Sequence, residues 1–148
     1  MKKRILIVDD DEVVLKGFRE VLELEGYRVD TAMTGREAIE KSEANFYHLA
    51  LLDIRLPDME GTDLLIAMKD ATPKMVKIMV TGYPSLENAV EAVNKGADGY
   101  IIKPVLNMDE LINVVKDHLE KQDKAQKYTE DKVKEFIESR VQELDRQS

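Results

Sequence analysis

Ile5-Leu6-Ile7-Val8-Asp9-Asp10 ends an apolar run on two carboxylates. Three later stretches repeat the pattern of an apolar body with a polar end: Leu49-Ala50-Leu51-Leu52-Asp53, Val76-Lys77-Ile78-Met79-Val80-Thr81 and Tyr100-Ile101-Ile102-Lys103-Pro104. Parallel strands of an open α/β sheet have this form, because both faces are covered and the carboxyl ends carry the site. If the four ends lie side by side, three carboxylates, a hydroxyl and a lysine meet in one pocket. Such a pocket can hold a hard divalent cation and a phosphoryl group.

The segments between these runs read as helices. The first is expected from about Glu12 to Glu25, with Val14, Phe18, Val21 and Leu22 on one face and Gly26 as a stop. Tyr27 to Ala32 reads as a further strand. Thr34 and Glu37 form a capping-box pattern that opens a helix through about Glu43. Arg55 to Gly61 is a loop with Pro57, followed by a helix from about Thr62 to Asp70 and a turn at Pro73. Gly82-Tyr83-Pro84-Ser85 leads into a helix ending near Lys95-Gly96, and Asn107 starts another. Strict alternation with short loops implies right-handed crossovers and a parallel sheet. The expected fold is α/β, a flavodoxin-like doubly wound five-stranded parallel sheet of order 2-1-3-4-5 with a C-terminal helical extension. The switch point between the first and third strands then gathers Asp9, Asp10 and Asp53.

Global properties narrow the function. The 148 residues carry a net charge of −8, which argues against direct nucleic-acid binding. The absence of Cys excludes disulfides and thiolate zinc sites and fits a reducing cytosol. Met1-Lys2-Lys3-Arg4 resembles the start of a signal peptide, but the apolar run after it is too short for one. No apolar stretch reaches membrane-span length. A cytoplasmic location is expected, with neither membrane nor nucleic acid as a partner.

Asp11 reads as a helix cap. Asp9, Asp10 and Asp53 are different, since two unit charges ~4 Å apart repel by ~4 kcal/mol at an effective dielectric of 20. A cation or a raised pKa must compensate. Oxygen donors at an open site suit Mg²⁺, with Mn²⁺ as a substitute. An aspartate beside that ion can attack phosphorus. Lys103 supplies a cationic end, Thr81 a hydroxyl, and Gly82 leaves room beside it.

Residues 1 to 121 resemble a response-regulator receiver domain through Val8-Asp9-Asp10, Leu52-Asp53 followed by Pro57 and Gly61, Val80-Thr81-Gly82 and Lys103-Pro104. The resemblance implies a two-component switch in which Asp53 accepts a phosphoryl group from a histidine kinase or phosphotransfer protein. It implies that Asp10, Asp53 and the Arg55 carbonyl bind Mg²⁺ directly, and that Asp9 acts through a water. Lys103 would pair with the acyl phosphate, Thr81 and Tyr100 would be the switch pair, and the peptide bond before Pro104 would be cis. Arg55 and Tyr83 would tune hydrolysis of the phosphate. The output face would be the fourth helix, fifth strand and fifth helix. The protein would not be an enzyme beyond its own phosphorylation and dephosphorylation. His48 and His118 read as structural or exposed.

Two other classes share parts of this pattern. A Mg²⁺-dependent phosphohydrolase with an Asp nucleophile usually places a second carboxylate two residues later, where this chain has Arg55. A flavin module would need a hydroxyl- and glycine-rich loop after the first strand, where this chain has Asp9-Asp10-Asp11.

Residues 122–148 are expected to be a linker and an amphipathic tail. Lys121 to Lys127 is nearly devoid of apolar residues, and Thr129-Glu130-Asp131 reads as a fresh helix start. Val133, Phe136, Ile137, Val141 and Leu144 form a stripe at helical spacing, with Arg140 inside it. The stripe is expected to dock on the receiver's fifth helix, on a second subunit or on another protein. A homodimer would use this tail or the output face.

Overall fold

Alternate residues of each strand feed two cores. The computed structural model describes residues 2–68 and 74–147. On one face Ile5, Ile7, Leu49, Leu51, Ile78 and Val80 pack against Leu15, Phe18 and Leu22 of α1 (Glu12–Leu24) and Leu111, Val115 and Leu119 of α5 (Met108–Gln147). On the other, Leu6, Val8, Ala50, Leu52 and Met79 meet α2 (Gly35–Ala44), α3 (Gly61–Ala67) and α4 (Leu86–Asn94). The strands are β1 (Arg4–Val8), β2 (Arg28–Ala32), β3 (Leu49–Asp53), β4 (Val76–Thr81) and β5 (Gly99–Ile102). All pairs are parallel, in the order β2-β1-β3-β4-β5. This is the flavodoxin-like sheet expected from the sequence.

Local signals act as their chemistry dictates. Asp11 caps α1 by accepting from the Val13 N–H, and Gly26 follows the helix at φ +92°, a conformation open to glycine. Thr34 accepts from the Glu37 N–H, while the Glu37 carboxylate reaches the Met33 N–H. Ser85 caps α4. Asn107 accepts from the Asp109 N–H before α5. The expected helix end at Asp70 and the turn at Pro73 lie outside the described residues.

The tail differs from expectation. α5 is one helix of 40 residues, so there is no break at Lys121–Lys127 and no new start at Thr129. No Gly or Pro interrupts this segment, and its Lys, Gln and Ala residues are good helix formers. Poverty in apolar residues there marks exposure, not a linker. The Thr129 hydroxyl donates back to the Ala125 carbonyl and caps nothing. The boundary expected between 121 and 122 falls inside α5. The stripe cannot dock on the fifth helix, because it is the fifth helix. Val133, Phe136, Ile137, Val141 and Leu144 are all exposed.

The base of the extension is pinned. Gln122 is buried, and its amide donates to the carbonyls of His48 (2.9 Å) and Lys74 (2.8 Å). Lys3 pairs with Asp123 at 2.5 Å. His48 Nδ1 accepts from the Arg4 N–H at 3.0 Å. His118 is likewise tied to backbone carbonyls, those of Val114 and Asp98. Lys77 is buried in β4, and its ammonium donates to the carbonyls of Leu65 and Met68 at the end of α3.

Burial lowers the pKa of His48, aided by Lys3 and Arg4 and opposed by Asp123. The unfolded chain therefore binds this proton more readily. The stability it confers is present above the ordinary histidine value of about 6.5 and is lost as pH falls through the folded one. His48→Asn keeps an acceptor for the Arg4 N–H without titrating. Denaturant unfolding at pH of about 7.5 and about 5.5 should show a larger loss for the wild type than for the variant. Equal losses would remove His48 from the account.

Candidate functional site: an acidic crevice at the strand ends

β1 and β3 are neighbours, with Val8 opposite Leu52, so the residues that follow them emerge together. Asp9, Asp10 and Asp53 each offer a carboxylate oxygen within 4.8 Å of the others. Asp9 and Asp53 are buried, and Asp10 is exposed. From the end of β5 the Lys103 ammonium reaches Asp9 at 2.5 Å and Asp53 at 3.5 Å. Thr81, at the end of β4, is fully buried, and its hydroxyl oxygen accepts from the Tyr83 N–H at 2.9 Å. The Lys103–Pro104 peptide bond is cis.

The carboxylates are not equivalent. Asp9 uses one oxygen for the Asp11 N–H (2.9 Å) and the other for Lys103. Asp53 has only long contacts among the described residues, from the Arg55 N–H at 3.4 Å and the Lys103 ammonium at 3.5 Å. No partner for the Asp10 carboxylate appears among the described residues. Burial raises the pKa of Asp53; Asp9 adds to this, and Lys103 opposes it. Burial also disfavours the charge on Lys103, but Asp9 and Asp53 together outweigh that and hold its pKa above the ordinary lysine value. One ammonium among three carboxylates leaves the crevice electron-rich. Its hard oxygen donors fit Mg²⁺.

Gly61 is required by geometry. A Cβ there would collide with the Asp53 carbonyl oxygen and the Ile54 Cα. The Gly61 N–H instead donates to the Ile54 carbonyl at 2.7 Å and closes the loop after β3.

Arg55 and Tyr83 meet each other. The Arg55 guanidinium carbon lies 4.0 Å from the Tyr83 ring centroid, a cation–π stack joining the loops after β3 and β4. Tyr100 packs against the core under α3 and α4, with its hydroxyl buried and without a hydrogen-bond partner among the described residues. Burial raises its pKa. The residues singled out in the sequence at the ends of β1, β3 and β5 thus share one crevice, with Thr81 at the end of neighbouring β4. Asp58, in the loop after β3, accepts from the Gly35 and Arg36 N–H groups at the start of α2, and it escaped sequence reasoning because no local spacing relates it to them.

The raised Asp53 pKa has a stability consequence. The folded state holds this proton to higher pH than the unfolded chain does. The favourable contribution is full below the unfolded value of about 3.9 and is lost as pH rises through the folded one. Without divalent ions, Asp53→Asn should therefore raise unfolding free energy at pH of about 7, and the gain should shrink toward pH of about 4. Chemical denaturation across this range checks it. A variant less stable than wild type at neutral pH would contradict the charge balance described.

Comparison with known proteins agrees with this geometry. Residues 5–116 match the family model of the response regulator receiver domain. The alginate biosynthesis transcriptional regulatory protein AlgB of Pseudomonas syringae pv. tomato is 39% identical over 101 residues, 68% of this chain and 22% of that protein. The chain thus spans about a fifth of that relative's length. A CheY-like receiver domain protein from Methanospirillum hungatei superimposes with a TM-score of 0.80 and 52% identity, covering 84% of this chain and 99% of the other. A Burkholderia pseudomallei response regulator, solved with a phosphorylated aspartic acid, calcium ion and citrate, gives a TM-score of 0.70 at 32% identity, covering 75% and 65%. No helix among the described residues is long and apolar enough to cross a membrane. The crevice, the sheet order and the family match agree: the chain belongs to the response regulator receiver domain family of two-component systems.

Proposed function

We propose that Asp53 is the phosphoacceptor of a cytoplasmic switch, loaded by a histidine kinase or phosphotransfer protein in the presence of Mg²⁺. The observation that carries this reading is the Asp53 carboxylate lying between two other aspartates and Lys103. An Asp53 oxygen attacks phosphorus, and the bond from phosphorus to the donor breaks with its electron pair leaving on the donor. The chemistry that Mg²⁺ would supply when bound is neutralisation of charge on the phosphoryl oxygens. Asp10, Asp53 and the Arg55 carbonyl would hold the ion directly. Asp9, with both oxygens engaged, would act through a water. Lys103 is already at the crevice and would turn from Asp9 to the phosphoryl group. Thr81 accepts one hydrogen bond and keeps its own proton to donate.

The chemistry would end at this residue, with no free substrate turned over. The Arg55–Tyr83 stack would hinder water from reaching phosphorus and slow hydrolysis. Thr81 and Tyr100 would carry the change to α4, β5 and α5. Leu86, Val90, Val93, Ile102 and Leu106 are exposed there, an apolar surface for a protein partner. A small phosphodonor with Mg²⁺ should add one phosphoryl group to the wild type, read by intact mass, and none to Asp53→Asn. Equal labelling of the variant would place the acceptor elsewhere.

The projecting part of α5 would pair with a second copy. It exposes Phe136 by 72% and four aliphatic side chains by about half. Val133, Ile137, Arg140 and Leu144 follow the alternating four- and three-residue steps of a two-helix seam. Sedimentation should show a concentration-dependent dimer that Phe136→Asp or Ile137→Asp weakens by at least tenfold, about 1.4 kcal/mol. A wild type that stays monomeric at high concentration, with freely exchanging amides from 132 to 144, would contradict the pairing.

A further inference from the structure

The loop from Ile54 to Glu60 carries the Arg55 carbonyl and one half of the Arg55–Tyr83 stack. Internally it is held by few bonds: Leu56 N–H to the Met59 carbonyl (3.1 Å), Gly61 N–H to the Ile54 carbonyl, and a bridge between Arg55 and Glu60. Its far side is held by Asp58. One Asp58 oxygen accepts from the Gly35 N–H and the other from the Arg36 N–H, both at 2.9 Å. These are the first two residues of α2.

The donors at this helix start are fully accounted for. The Gly35 and Arg36 N–H groups go to Asp58, the Glu37 N–H to the Thr34 hydroxyl, and the Ala38 N–H to the Thr34 carbonyl. Asp58 thus completes the cap of a helix to which it does not belong, where negative charge is favoured. Met59 adds a second attachment, since its side chain fills the space a Cβ on Gly35 would need. The loop beside Asp53 is therefore clamped to an element that contributes nothing to the crevice.

We propose that Asp58 is a positioning residue, which fixes the loop after β3 on the start of α2 and thereby sets the affinity of the crevice for Mg²⁺. The inference rests on the phosphoacceptor reading, because it assigns the Arg55 carbonyl to the metal. Groups that orient a metal ligand without touching the ion change affinity by roughly 10–100-fold when removed. Loss of the two bonds in Asp58→Ala would let the loop carrying Arg55 move.

Thr34→Ala separates this role from plain helix capping. It removes a cap from the same helix start and leaves the loop attached. Amide spectra titrated with Mg²⁺ alone should give an affinity at least roughly tenfold weaker for Asp58→Ala, with faster hydrogen exchange at Leu56 and Gly61. Thr34→Ala should lower the melting temperature and bind Mg²⁺ within about twofold of wild type, since its loop contacts remain. Wild-type affinity in Asp58→Ala would overturn the inference alone, as would equal weakening in Thr34→Ala. A wild type that does not bind Mg²⁺ would overturn the metal reading and this inference with it.

Discussion

The parallel pairing of β1 with β3 is the constraint on which the site depends. It brings Asp9 and Asp10, near the start of the chain, beside Asp53. Like charges so close resist assembly. The sheet overrides that resistance because both faces of β1 and β3 are buried in apolar side chains, each worth ~1.5–3 kcal/mol. A shift of one residue in a strand would turn every core side chain to the wrong face. The same packing that holds the sheet together therefore holds the carboxylates in place. Lys103 reduces the imbalance by pairing chiefly with Asp9, and it leaves Asp53 under-neutralised.

That residual imbalance underlies the chemistry proposed for the crevice. A carboxylate engaged on both oxygens is a poor metal ligand and a poor nucleophile. One that is buried, weakly hydrogen-bonded and beside an ammonium is suited to both roles. Asp9 and Asp53 differ in this way although both are buried aspartates at strand ends. The surrounding loops refine the difference. Gly61 permits close return of the chain past Asp53, Asp58 ties the loop outward to α2, and Arg55 leans on Tyr83.

The fold was legible because four apolar runs with polar ends, and a fifth strand-like segment at Tyr27 to Ala32, alternate with segments of helical spacing, and few sheets satisfy that pattern. Asp9, Asp10, Asp53, Thr81 and Lys103 were legible for the same reason, since strand ends of a doubly wound sheet converge. The tail was misread at Lys121–Lys127, where a lack of apolar residues looked like a linker although its Lys, Gln and Ala residues favour helix. Lys77 gave no warning either. A lysine inside a strand looks solvent-facing, but its stem crosses the core layer to reach the end of α3. Asp58 and the Arg55–Tyr83 stack join residues that no local periodicity relates, so only the folded loops reveal them.

The central claim is that the crevice carries more negative charge than Lys103 balances and that Mg²⁺ makes up the deficit. It is tested most directly by following the Asp53 carboxyl carbon by NMR through a pH titration, with and without saturating Mg²⁺. The account predicts a pKa above the ordinary value of about 3.9 without metal, and a fall below that value when Mg²⁺ is present. A carboxyl that titrates at its ordinary value and ignores Mg²⁺ would contradict it.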